Sequence, residues 1–450
     1  MAQKRTEVRF KQYTLNNLDE IFQLQELTAE QRFELEVVAQ VFPFKTNQFV
    51  VDELIDWSNI PADPIYQLTF PQRGMLHDDE FNRLADAMRG GNGTSKQLQQ
   101  IVNEIRYSLN PHPAGQMDMN VPELDGEKIE GVQHKYDETA LFFPQAGQTC
   151  HAYCTFCFRW AQFVGIDELR FSAPSMDRFV RYLKAHPEIT DVLITGGDPM
   201  VMNSKMIRKV IEPLLDPALE HLRNIRIGTK SLAYWPHKYV DDPDAEEVLD
   251  ALSRVVKAGK HLAVMAHFNH PRELEPPIVA EAAKRLQVIG AVLRTQSPVI
   301  RHINDDPGLW EEMWRRQVQL GMIPYYMFVE RDTGARDYFA VPLARAYEIY
   351  REAIRNVSGL ARTARGPSMS ATPGKVEIQG IAEVGNEKFF VLRLIQARNS
   401  EWVQRPFFAR YDPDATWLNQ LSPAFGESEQ FFHSQLRKGE LEGISGVTRM

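Results

Sequence analysis

Cysteine is the scarce residue of this chain: three in 450 positions, Cys150, Cys154 and Cys157, all inside the segment QTCHAYCTFC. An odd count of near neighbours excludes a disulfide framework, because such short loops would strain the bridges. A further cysteine pair and a CxxC…HxxxH run are also lacking, so the usual zinc ligand sets are missing; His151 sits between the cysteines at an unlike spacing. No stretch is long and apolar enough to cross a bilayer. The opening MAQKRTEVRFKQY has no hydrophobic region of a signal peptide, which predicts a cytoplasmic location. The formal net charge is −9 and the basic residues are dispersed, whereas an extended nucleic-acid surface needs clustered Lys and Arg. The expected partner is therefore a small molecule, with no nucleic acid and no membrane.

What is present fits a large soluble enzyme. Hydrophobic residues make up 43% and charged residues 25%, enough for one big core with appended segments. The opening 125 or so positions read as helical and irregular. LTAEQRFELEVVAQVF has apolar residues at helical spacing after a Thr able to cap it, and LHDDEFNRLADAMRGGNGTS ends in a Gly-rich break. PHPAGQMDMNVPELDGEK reads as a linker or wrapped arm, with no catalytic constellation. Short apolar runs then alternate with amphipathic segments. TALFFPQ, DVLITGG, NIRIGTK, HLAVMAHF, AVLRTQSPVI and IPYYMFV are the strand candidates. In DAEEVLDALSRVVKAG, Val248, Leu252, Val255 and Val256 share a face and Gly259 ends the helix. Such βα units predict a parallel sheet with outer helices. KVEIQG and KFFVLRLIQA predict a small β segment, and the last fifty residues carry no readable role. The expected division is 1–125, 126–365 and 366–450.

The spacing of the cysteines, CxxxCxxC, carries the chemistry. Three thiolates on one loop can hold three irons of a 4Fe-4S cluster and leave the fourth iron open, whereas ferredoxin-type carriers supply four cysteines. Buried structural thiols explain isolated cysteines, not this clustering. The other marked motifs fall at the C-terminal ends of predicted strands, where parallel βα folds gather their chemistry: the cysteine loop, Gly196-Gly197-Asp198-Pro199, HFNHP and Gln296.

CxxxCxxC followed by an aromatic and Arg159, with the GGDP turn beyond, resembles the radical S-adenosylmethionine enzymes. HKYDETALF, HFNHP, RTQSPVIRHIND, PYYMF and SGLARTARGPSMSATPGK, in this order, resemble segments of the lysine 2,3-aminomutase family, over a span from about Leu15 to about Ile395. The resemblance implies an α/β fold, a partial (β/α)6 TIM-type barrel with an N-terminal helical region and a C-terminal extension. It also implies a 4Fe-4S cluster that injects an electron into S-adenosylmethionine to make a 5′-deoxyadenosyl radical, and pyridoxal phosphate, held by a lysine as a Schiff base, to let an amino group migrate between adjacent carbons.

Residue by residue, the resemblance assigns Cys150, Cys154 and Cys157 to iron and Gly196, Gly197, Asp198, His267 and Gln296 to S-adenosylmethionine. It assigns Lys375 to pyridoxal phosphate, with Lys135 on the phosphate. A second basic position near Lys135 is Thr139 here. Arg159 matches the arginine that grips the substrate carboxylate. The two aspartates that meet the distal ammonium in lysine-specific members fall on Arg331 and Ser368, although a one-residue shift would bring in Asp332. An arginine there disfavours a cationic substrate. The expected reaction is a 2,3-aminomutation of an L-α-amino acid, glutamate or another non-cationic one rather than lysine. The alternatives are a lysine 2,3-aminomutase, a pyridoxal-independent radical enzyme performing another hydrogen abstraction, and a non-catalytic iron-sulfur sensor. An electron donor such as flavodoxin or ferredoxin is the expected partner. The chain lacks the C-terminal cysteines that bind zinc between subunits in many lysine enzymes, so a homo-oligomer stays an open expectation and structural zinc is not expected.

Overall fold

Thr28 accepts a hydrogen bond from the backbone of Gln31 and starts α1 (Ala29–Val41), where the sequence places a capped helix. In α2 (Asp78–Arg89) three acidic residues occupy the first turn and Arg89 the last, in the sense the helix dipole favours. α3 (Ser95–Ser108) follows. The computed structural model describes residues 8–90, 95–117 and 119–441, so most of the Gly-rich break after α2 lies outside the described residues.

The main sheet has eleven strands in sequential order. β1 (Val132–Tyr136) is antiparallel to β2 (Thr139–Phe142). From β2 the strands run parallel: β3 (Asp191–Ile194), β4 (Asn224–Thr229), β5 (His261–His267), β6 (Val292–Val299), β7 (Ile323–Val329) and β8 (Arg365–Ser370). Helices α4 (Asp177–Ala185), α5 (Ser204–Ile211), α6 (Ala245–Lys257), α7 (Pro277–Val288), α8 (Pro307–Gln319) and α9 (Leu343–Arg355) make the six crossovers. All six strand candidates and the six βα units are present. In α6, Val248, Leu252 and Val255 are fully buried and Val256 partly so; each full burial is worth about 1.5–3 kcal/mol. Gly259 follows the helix at φ +75°, a conformation that glycine adopts without strain.

Two features go beyond the sequence reading. A seventh parallel strand, β8, is built from RGPSMS. The sheet then continues antiparallel through β9 (Gly374–Val384), β10 (Glu387–Ala397) and β11 (Pro406–Arg410), without a break at residue 365, where the sequence suggests a boundary. Lys375 lies near the start of β9, in the β segment that KVEIQG predicts. The sheet is open, and curls so that Lys135 of β1 donates to the carbonyl of Ala371, beyond β8, at 2.6 Å.

One apolar core joins the N-terminal helices to the barrel, through Leu35, Val38 and Leu84 on one side and Val192, Ile227 and Val264 on the other. A second gathers Ile378 and Leu392 of β9 and β10 with Trp402, Phe407, Trp417 and Phe432. These four aromatic residues of the C-terminal extension are therefore packing residues on the antiparallel end of the sheet. No helix among the described residues is long and apolar enough to cross a membrane.

Candidate active site

A cavity of ≈ 380 Å³ lies at the C-terminal ends of the parallel strands. The cysteine loop enters it from the end of β2. Its shape is imposed by the N-terminal region: Tyr153 N donates to Lys45 O at 2.8 Å, Thr155 N to Leu68 O at 3.0 Å, and Thr155 Oγ1 to Gln67 O at 2.7 Å. The helical segment that showed no catalytic constellation is thus the scaffold of the cysteines. All three thiols line the cavity and are free. No three His, Cys, Asp or Glu side chains among the described residues converge tightly enough for a single metal ion; the thiols flank a wider space.

Burial pushes the Cys150 thiol well above its usual value, Cys154 up to about 12, and Cys157 upward. One cation opposes this at each sulfur: Lys45 at Cys150, Lys230 at Cys154 and Arg159 at Cys157. Such thiols stay protonated until a metal displaces the proton, and each has a positive charge ready to steady the thiolate. The donor set fits a 4Fe-4S cluster: the three thiolates would each hold one iron and leave the fourth iron without a cysteine.

Gly196 and Gly197 pack against this loop. A Cβ on Gly197 would stand 2.4 Å from Thr149 O and 2.6 Å from its N. Gly196 has φ +146° and presses on Gln148. The glycines thus bring the turn after β3 onto the residue before Cys150. The Asp198 carboxylate accepts from Thr229 Oγ1 at 2.6 Å, Met200 N at 2.9 Å and Lys230 N at 2.9 Å, tying the turn to the end of β4. Gly197→Ala is expected to displace the loop at a cost of about 1–3 kcal/mol and to cut iron loading several-fold. Iron content after anaerobic reconstitution checks this, and unchanged loading would show that the close approach is not needed.

His267, at the end of β5, and Gln296, on β6, complete this side. Burial, aided by Lys230, drives His267 well below the usual histidine range, and its Nε2 has no protein partner.

Basic side chains also line the cavity. Arg159 is 8% exposed, stacks on Phe143 at 4.3 Å and leaves Nη1 unpartnered; burial lowers it to about 9, against the raising pull of Cys157. Arg331 follows β7, donates to Pro113 O at 3.2 Å and leaves Nε unpartnered. Asp332 does not line the cavity, and neither does Ser368. Ser368 is fully buried two residues below the end of β8, and Ser370 is the serine that lines the cavity. Lys375 lies 4.1 Å from the Tyr326 ring centroid, and burial, with Arg226 and Arg365, lowers its amine to about 7. Lys135 is lowered well below the usual range by burial and then by Arg398, Arg331 and Lys375.

No family profile matches the chain. A protein of Aquifex aeolicus described as "Putative L-lysine 2,3-aminomutase" is 30% identical over 423 residues, 94% of this chain and 96% of its own. The chain belongs to the lysine 2,3-aminomutase family. An L-lysine 2,3-aminomutase of Haemophilus influenzae is 24% identical over 253 residues, 56% of this chain and 70% of its own. One from Fusobacterium nucleatum is 25% identical over 239 residues, 53% of each chain. Among solved structures, a radical SAM methyltransferase from Sphaerobacter thermophilus covers 52% of this chain and 70% of its own at 16% identity, with a TM-score of 0.35.

This lysine 2,3-aminomutase family member also lines its cavity with residues that sequence reasoning did not single out. Gln116 and Asn120 come from the arm, which Arg398 holds by donating to Met119 O at 3.1 Å and to Asn120 Oδ1 at 2.5 Å. Lys230 is buried and pairs with Glu273 at 2.6 Å. Glu330 has no protein partner at either oxygen, and burial raises it well above the carboxylate range. Arg226 is bound to Asp191 at 2.8 Å and stands near Lys375. Arg226 and Lys230 fall within the strand candidate NIRIGTK, and Gln116 and Asn120 within the arm PHPAGQMDMNVPELDGEK, while Glu330 follows IPYYMFV directly.

Proposed function

We propose that this chain is a pyridoxal-phosphate-dependent radical S-adenosylmethionine 2,3-aminomutase that moves the α-amino group of an anionic or neutral polar L-amino acid, glutamate foremost, to the β-carbon. The observation that carries the substrate choice is the charge of the cavity. Of the six basic side chains that line it, Arg226 and Lys230 are paired with Asp191 and Glu273 and burial favours the neutral form of Lys135 and Lys375, which leaves the buried guanidiniums of Arg159 and Arg331 against two acids, Asp198 and Glu330. Neither acid serves a cationic ligand: Asp198 is taken by three donors, and burial favours the neutral form of Glu330. A substrate ammonium would add to the cost of confining buried cations, whereas a second carboxylate relieves it.

When bound, the cluster with S-adenosylmethionine supplies hydrogen-atom abstraction, and pyridoxal phosphate supplies the conjugated system across which an amino group can move. The chain's own residues do the rest. Cys150, Cys154 and Cys157 hold iron; the Gly196–Gly197 backbone, His267 and Gln296 face S-adenosylmethionine. Arg159 grips the α-carboxylate and Arg331 the distal group, each with an unpartnered guanidinium nitrogen. Lys375 presents an amine that is half uncharged near neutrality and so can hold the pyridoxal carbonyl carbon. Lys135 meets the phosphate, with Arg226 supplying charge that Thr139 lacks. The reductant is a small carrier such as flavodoxin or ferredoxin, in a reducing compartment such as the cytoplasm.

A second reading, lysine as substrate, draws on the relatives named L-lysine 2,3-aminomutase. Anaerobic turnover of a panel of amino acids separates the two. Wild type is expected to prefer glutamate or a similar non-cationic substrate, and Arg331→Asp to move the lysine-to-glutamate ratio of kcat/KM toward lysine by about 10-fold or more. Efficient lysine turnover by wild type would overturn the substrate assignment.

A further inference from the structure

The three thiols differ in their polar surroundings: the Arg159 backbone acts on Cys157, and a side-chain hydroxyl lies against Cys154. The Tyr234 hydroxyl lies 3.3 Å from Cys154 Sγ, and Lys230 is the cation that acts on the same sulfur. Tyr234 closes the short helix Ser231–Tyr234 after β4 and is 1% exposed. The Lys230 ammonium stands 4.5 Å from its ring centroid, held by Glu273 at 2.6 Å and Asn269 Oδ1 at 2.8 Å. Asn47 fixes the whole contact from a third part of the chain: its Nδ2 donates to His151 O and to Tyr234 O, both at 3.1 Å. One buried amide thus clamps the cysteine loop to the helix that carries the phenol.

We propose that Tyr234 is a positioning residue that sets the reduction potential of the cluster by donating a hydrogen bond to Cys154 Sγ. This rests on the assignment of the cysteines to iron. An iron-bound thiolate has no proton, so the phenol is the donor in that pair. A hydrogen bond to a ligating sulfur withdraws electron density and favours the reduced cluster, and a buried positive charge acts in the same direction. Lys230 over the ring adds to both, since a cation on the aromatic face makes the phenol a better donor. The contact therefore makes the cluster easier to reduce by a mild carrier, at the step where one electron must reach the sulfonium of S-adenosylmethionine.

The test uses the reconstituted full-length enzyme and two variants. Tyr234→Phe deletes one oxygen and keeps the ring in its buried slot. Incorporation of 3-fluorotyrosine at position 234 keeps the shape and makes the phenol more acidic, hence a stronger donor. After iron content is matched, redox titration followed by electron paramagnetic resonance reads the midpoint of each. Tyr234→Phe is expected to fall, so that at the wild-type midpoint its reduced fraction drops several-fold, and the fluorotyrosine protein to rise. Midpoints unchanged, or shifted in one direction in both proteins, would overturn the role of Tyr234. A wild type that assembles no 4Fe-4S cluster would instead overturn the cysteine assignment.

Discussion

Alanine at Cys150, Cys154 or Cys157 is expected to give a folded chain that holds no site-differentiated 4Fe-4S cluster and cleaves S-adenosylmethionine only at background. Each thiolate would carry one iron, so none is dispensable. The loop does not rely on the thiols for its shape: Lys45 O, Leu68 O and Gln67 O hold it from the N-terminal region, and Gly197 buttresses it from the turn after β3. The loss in stability should therefore stay in the ordinary range for a single substitution, about 0.5–3 kcal/mol, while the cofactor is lost outright. Iron analysis and chromatography of 5′-deoxyadenosine read the result. Full iron and full cleavage in any one variant would refute its ligand role.

Lys375→Ala is expected to leave the iron-sulfur spectrum intact and to abolish capture of pyridoxal phosphate. The amine has the right chemistry: it is buried against Tyr326 and lowered to about 7 by burial and by the neighbouring Arg226 and Arg365. The uncharged amine is the nucleophile. Capture by the wild type should accelerate as pH rises through about 7 and then level off, whereas an ordinary lysine would keep accelerating toward its value of 10.5. The linkage has a matching sign. Between about 7 and 10.5 the unfolded chain binds a proton at this lysine that the folded chain does not, so the cofactor-free protein gains stability as pH rises through that window. Rates of cofactor absorbance change across pH check the first part, and borohydride fixation with peptide mapping checks the site. Fixation to another lysine would contradict the assignment.

The barrel was legible because each of its first six parallel strands is a short apolar run between clear helical segments. β8 was not: RGPSMS offers glycine, proline and serine, poor strand formers, and becomes a strand by pairing with β7 on one side and β9 on the other. Lys375 was legible as a site through its resemblance and as the start of a β segment through KVEIQG, yet the joining of that segment to the barrel sheet through β8 was not. The arm read as a linker because its composition is that of one; Gln116 is held by Gln133 of β1, and Asn120 by Arg398, far away in sequence. The family resemblance could pick out Ser368 but could not tell its depth from that of Ser370, on the same strand. Tyr234 and Lys230 belong to no spacing pattern, and only the fold brings them to Cys154.

The reaction proposed for this cavity moves the amino group of an anionic or neutral polar amino acid, glutamate foremost. Its most direct test is nitrogen transfer observed by nuclear magnetic resonance: L-glutamate and L-lysine, each labelled with ¹⁵N at the α-amino group, incubated anaerobically in turn with reconstituted enzyme, S-adenosylmethionine, pyridoxal phosphate and a reductant. The expected result is ¹⁵N bonded to the β-carbon of the glutamate product, with lysine left essentially unchanged. Transfer in lysine with none in glutamate would contradict it.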